Sequence, residues 1–362
     1  MDVRQWRALA LVPIAAAGIL SGVVVARQQA AAPAAQAAVY AQREAQAPAA
    51  IRDRLAEIRN RISADRLTFE VGYTTALDQS LERLTGARLP PDLADRARRQ
   101  NDLAERLVSL DAAAKDAYLK KGNKLPEVQQ ACVATLPAFD WRSSNKVTPV
   151  RNQRSCGSCW AFTALGAYEG SHAIRNGVLI DGSEQSALSC SGGGSCGGGW
   201  WGPVFDWMMA SGAATEASYP YSATDTACRT NVQTPHRASA WGYVSTNGGI
   251  PSAADMKKAL CQHGPLAVGV YATPAFQAYV NGVFNERETT QQINHGVTLI
   301  GWDDARRAWL IKNSWDVTWG MAGYMWIAYD SNSIGMGAAW VDARSVSYTL
   351  PPEFFKLITK DK

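Results

Sequence analysis

Apolar positions fall into several distinct patterns along the chain. An apolar run from Ala8 to Ala26, broken only by Pro13, two glycines and Ser21, follows Arg4 and Arg7, and residues 27–50 then offer Ala, Gln and Pro with almost nothing large to bury. That stretch reads as a mobile or loosely helical tether. Ile51, Leu55, Ile58 and Ile62 form one stripe at helical spacing. Leu67, Phe69, Val71 and Tyr73 alternate like a short strand. Leu77, Leu81 and Leu84 form a second helical stripe closed by Gly86, and Pro90-Pro91-Asp92 opens a longer helix with Leu103, Leu107, Leu110 and Ala114 on its inner face. Ala161, Leu165, Tyr168 and Ile174 mark a helix that Gly177 can stop, and Ser183 is placed to cap another. Beyond Gly248-Gly249 the chain reads as β-rich: Leu266, Val268 and Val270 alternate, as do Val297, Leu299 and Gly301. Residues 308–312 and 323–327 are further strands. Residues 351–362 read as an irregular tail.

Charge sharpens the partition. Of the 75 residues from 51 to 125, 27 are Asp, Glu, Lys or Arg, against 19% for the whole chain, which marks a separate unit. The net charge of +4 comes without a basic run, so nucleic acid is not an expected partner. The run at 8–26 lies between the length of a signal-peptide core and that of a spanning helix, so a cleaved signal and a retained anchor both stay open. Either delivers the rest of the chain outward, to a secreted, periplasmic or membrane-tethered location. Seven cysteines, an odd count, suit an oxidising compartment in which one thiol is left free for chemistry.

The candidate chemistry sits at Gln153-Arg154-Ser155-Cys156-Gly157-Ser158-Cys159-Trp160, where a Gly/Ser turn becomes a helix. A thiol in a first helical turn faces unpaired N–H groups and the positive end of the helix dipole, which favours the thiolate. Cys156-Gly157-Ser158-Cys159-Trp160 resembles the papain-type cysteine peptidase signature, with His295 inside Ile293-Asn294-His295-Gly296-Val297 and Asn313 inside Lys312-Asn313-Ser314-Trp315 following in the family's order. The likeness covers about Leu136 to Ala343. It implies an α+β, two-lobed papain-like fold with a mainly helical N-terminal lobe, a β-rich, barrel-like C-terminal lobe and the cleft between them, preceded by a helical pro-segment. The expected layout is a signal or anchor at 1–26, a linker at 27–50, the pro-segment at 51–133, a peptidase domain at 134–350 with lobes at 134–240 and 241–350, and a tail at 351–362. Leu136-Pro137-Ala138-Phe139-Asp140-Trp141 resembles a mature start, so processing is expected between about Lys121 and Leu136. The Glu/Arg/Phe/Asn pattern of the common pro-segment helix is missing, and a helical partner-binding module is the other reading of residues 51–130.

By the same resemblance Cys159 is the nucleophile, resting as thiolate beside an imidazolium His295. Asn313 orients the ring, Trp315 and Trp319 shield that bond, and Gln153 donates to the oxyanion. Gly198 and Gly199 form the wall for an extended substrate backbone. Trp201, Gly269, Ile293, Asn294, Gly296, Trp315 and, less directly, Ala339 complete the substrate site. Its apolar lining implies an apolar residue two positions before the scissile bond, and no insertion suggests an exopeptidase. Asn294 departs from the Asp often found before the histidine. Family correspondence pairs Cys156 with Cys196 and Cys190 with Cys228. Cys132 and Cys261 are left over, and the expectation is that they pair, tying the mature N-terminus to the second lobe. No cofactor or metal is implied: a redox reading of Cys156-x-x-Cys159 lacks a thioredoxin-like context, and zinc-knuckle spacing is absent. The expected partners are peptide or protein substrates and the pro-segment in cis, on a monomer. A catalytically silent binding module and a transpeptidase or ligase sharing the acyl-enzyme remain as alternatives.

Overall fold

Two apolar clusters, one on each side of a long sheet, divide the interior of the computed structural model, which describes residues 33–126, 132–288 and 292–360. The apolar run at 8–26 lies outside those residues. Among the described residues no helix is long and apolar enough to cross a membrane.

The N-terminal region begins with α1 (Pro33–Ala45), α2 (Ala49–Ala64) and β1 (Phe69–Val71). Within the expected mobile or loosely helical tether at 27–50, residues 33–45 form a helix, and it is docked rather than loose. One large residue suffices to seat it: Tyr40 is buried and its hydroxyl donates to the Gly320 carbonyl at 2.8 Å. The α2 stripe is as expected, with Leu55 fully buried. The Leu77–Leu84 stripe does not make one helix. It splits into a 3-10 turn (Thr75–Asp78) and a single turn α3 (Leu81–Leu84), because the Gln277 side chain takes the Ala76 and Gln79 carbonyls at 2.7 and 2.9 Å. The long helix α4 (Leu93–Lys120) follows directly after Asp92.

The remaining elements are β2 (Ala138–Asp140), α5 (Cys159–Asn176), α6 (Glu184–Cys190), β3 (Gly194–Ser195), β4 (Gly198–Gly199), α7 (Trp201–Ala210) and β5 (Ala238–Tyr243). Then come α8 (Ala253–His263), β6 (Leu266–Val270), α9 (Pro274–Ala278), β7 (Tyr279–Phe284), β8 (His295–Asp303), β9 (Ala308–Lys312), β10 (Tyr324–Ala328), β11 (Met336–Ala343) and α10 (Pro352–Lys360). The main sheet runs β1-β7-β10-β9-β8-β6-β11-β5, with β2 pairing β8 off that path. Helices α5–α7 form one lobe and strands β5–β11 the other, an α+β two-lobed fold behind a helical N-terminal segment. The expected irregular tail is likewise corrected. Residues 352–360 are helical because Pro352 fits a first helical position and Phe354, fully buried, anchors the turn.

α5 is the central element. Fifteen of its eighteen residues are buried, and Gly177, at φ 75°, ends it in the left-handed region. Ser183 caps α6 by accepting from the Ser186 N–H at 2.9 Å. Disulfides join Cys156 to Cys196, Cys190 to Cys228 and Cys132 to Cys261; Cys159 is free.

Candidate active site

Three element ends meet at the site. Cys159 is the first residue of α5, His295 the first of β8, and Asn313 follows the last residue of β9. Strand register holds them: β6 pairs Gly269 with Gly296 and Val270 with His295, and β9 lies on the other side of β8. His295 Nε2 bonds Asn313 Oδ1 at 2.8 Å, which assigns the ring proton to Nε2 and leaves Nδ1 unprotonated. The Trp315 ring lies over the imidazole with centroids 4.6 Å apart, and Trp319 meets Trp315 edge-on at 5.5 Å. The Cys159 sulfur accepts from the Gly296 N–H at 3.4 Å, one residue beyond His295.

The Gln153 side chain is fully buried among three hydrogen-bond partners. Its Oε1 accepts from Ser314 Oγ at 2.6 Å, and its Nε2 donates to the Cys156 and Leu84 carbonyls at 2.9 and 3.0 Å. The Trp315 indole N–H donates to the same Leu84 carbonyl at 3.1 Å. Residues 84–88 of the N-terminal region therefore form a strap through the cleft. Gly199 N–H donates to Gly86 O at 2.8 Å, Arg88 N–H donates to Gly199 O at 2.9 Å, and Ala87 N–H donates to Asn294 O at 2.9 Å. Ala87 pairs in parallel with Gly199. A side chain at Gly86 would overlap the Gly157 carbonyl, so this crossing needs glycine.

Covering the cleft changes its electrostatics. The resemblance implies a thiolate and an imidazolium, but here burial pushes the Cys159 thiol up to about 11, against the opposite pull of the Gly296, Gly86, Trp160 and Ala87 N–H groups. Burial likewise lowers His295 to about 4, with the Asn313 hydrogen bond opposing it. Both shifts favour the neutral forms in this closed state.

The structure gathers the other sequence-derived positions around the strap. Ala87 is buried in one apolar cluster with Trp201, Ile293 and Ala339. Trp201 stacks on Trp200 at 3.6 Å and donates to Gly337 O, and a side chain at Gly269 would meet the Ile293 methyl group. The Asn294 side chain is spent on Ala272, accepting from its N–H at 2.8 Å and donating to its carbonyl at 3.0 Å. Gly199, rather than Gly198, makes both wall hydrogen bonds. Sequence reasoning missed Ser314, which orients Gln153, although it sits between two quoted residues. It also missed Tyr221, whose hydroxyl bonds Ser158 Oγ at 2.6 Å and Gln153 O at 3.0 Å. The Leu84 carbonyl, a backbone group, has no signature in a sequence.

A family model described as papain family cysteine protease matches residues 136–343, and the chain belongs to that family. The chain is 39% identical over 203 residues to digestive cysteine proteinase 1 of Homarus americanus, covering 54% of this chain and 62% of the relative. It thus spans less than two thirds of that relative's length. Among solved structures it is similar to bromelain protease from Ananas comosus, in a complex with the E64 inhibitor, with TM-score 0.53, 34% identity, and coverage of 57% of this chain and 99% of that one. Digestive procathepsin L 3 of Tenebrio molitor larval midgut aligns at TM-score 0.60 and 28% identity, over 80% of this chain and 88% of that one. The larger share reaches beyond the peptidase domain into the N-terminal region.

Proposed function

We propose that the chain is a cysteine endopeptidase made as a zymogen, exported from the cell, whose cleft is held shut by residues 84–88. The observation that carries this reading is the convergence of Gln153, Cys159, His295 and Asn313 on one cleft with a strap of the chain's own backbone lying through it. With the strap gone, burial no longer opposes charge separation and the Cys159 proton can pass to His295 Nδ1. The sulfur then attacks a peptide carbonyl carbon, and the oxyanion accepts hydrogen bonds from Gln153 Nε2 and the Cys159 N–H. The C–N bond breaks as His295 returns the proton to the leaving amine. Water, deprotonated by His295, adds to the thioester, the C–S bond breaks, and the carboxylic acid departs with Cys159 restored. Gly199 would hold the substrate backbone. The surface formed by Trp201, Ile293, Gly269, Gly296 and Ala339 would take an apolar side chain two residues before the scissile bond.

An E64-type epoxide tests this reading. Incubation before and after acid or proteolytic release of the strap should label Cys159 after release and leave the intact chain unmodified. Failure to label either form would leave a binding module as the better description, and full labelling of the intact chain would remove the strap's inhibitory role.

A further inference from the structure

Helix α4 precedes the family-matched region, yet it behaves differently from the strap. The residues over Cys159 are 84–88, whereas α4 begins at Leu93 and packs on β5, the last strand of the sheet. Leu93, Ala97 and Leu107 are buried in the same apolar cluster as Phe205, Trp241 and Tyr243. Side-chain amides of α4 also close the open edge of β5. Asn101 Oδ1 accepts from the Tyr243 N–H at 2.8 Å and its Nδ2 donates to the Tyr243 carbonyl at 3.1 Å, while Gln100 donates to the Trp241 carbonyl at 2.7 Å. One carboxamide thus does for Tyr243 what a further strand would do, and removing it would leave edge groups unpaired.

Two more contacts grip the helix from the catalytic side. Asp111, buried, pairs with Arg175 of α5 at 2.5 Å and accepts from the Tyr348 hydroxyl at 3.1 Å. The C-terminal helix α10, also outside the family-matched region, packs against both α4 and α7 and brings Leu357 and Ile358 to the cluster that Leu103 and Leu110 border. Between strap and helix, Pro91 is exposed and Leu89, Pro90 and Asp92 are half-buried.

We infer that α4 is a permanent part of the mature enzyme, clamped between the β5 edge and the C-terminal helix, and that the cut that opens the cleft falls in the link at residues 88–92. This rests on the proposed reading that residues 84–88 must leave the cleft. It relocates the processing expected between Lys121 and Leu136, since a cut there leaves the strap tied to a helix that stays docked.

The test uses the full-length Cys159→Ser chain with two inserted recognition sites for an added sequence-specific protease, between Pro91 and Asp92 and between Gly122 and Asn123. After both cuts and mild acidification, native gel filtration followed by mass spectrometry should find the 92–122 peptide, which carries α4, with the catalytic body in equimolar amount and the strap fragment gone. A helix peptide eluting apart from a folded catalytic body would overturn the inference. Asn101→Leu and Asp111→Asn, made separately, should each lower retention about 10-fold. In a chain carrying the first site alone, amide exchange in β5 gives a second readout: continued protection supports docking and lost protection refutes it. Peptide hydrolysis by the wild-type chain is scored separately, so a failed peptidase reading and a failed helix inference give different results.

Discussion

In the proposed reading, Gln153 is one side chain serving two states. Ser314 fixes its oxygen, so its amide nitrogen faces the Cys156 carbonyl and the cleft, where in the closed chain it also holds the Leu84 carbonyl. In an open cleft the same donor would meet a developing oxyanion. Gln153→Ala should therefore lower kcat of the activated protein about 10²–10³-fold with a smaller change in KM. Steady-state kinetics after pro-segment release reads this directly, and an unchanged kcat would refute the assignment. Most of the site was legible at this scale because its residue types recur in a recognisable order. Ser314 and Tyr221 were not, since a hydroxyl that orients another residue carries no spacing rule.

At the scale of elements, the strap depends on its narrowest point. Gly86→Ala puts a methyl group into the Gly157 carbonyl, so the strap should lift and Cys159 in the uncut chain should react with iodoacetamide on the order of ten-fold or more faster. Equal alkylation rates in the two proteins would count against residues 84–88 as the closure. Apolar periodicity located α2, β1, α5, β6 and β8, and Pro90-Pro91-Asp92 added the start of α4. The Leu77–Leu84 stripe misled because Gln277, some two hundred positions along the chain, captures carbonyls that a continuous helix would need. Residues 33–45 and 352–360 misled in the other direction. Their buried anchors, Tyr40 and Phe354, find partners only once distant segments are in place.

For the whole molecule, covering the cleft couples closure to pH. His295 moves from an ordinary value of 6.5 to about 4 because it is buried. A lowered folded value means that the closed state gains its full advantage above pH 6.5 and loses it as pH falls toward 4, by on the order of 3 kcal/mol relative to an exposed imidazole. The raised Cys159 acts at the other end, with its contribution complete below 9.0 and lost as pH climbs toward 11. Epoxide labelling of the uncut chain should accelerate as pH drops from 6.5 to 4; a flat profile would uncouple closure from His295. The sequence alone determined which residue types stand at the candidate site and in what order, because the proposed nucleophile, base, orienting amide and oxyanion donor must be particular residue types at fixed element ends. Tertiary structure decided what covers that chemistry, which helix closes the β5 edge and whether the pair is charged, because burial and backbone contacts between distant segments belong to no single stretch of the chain.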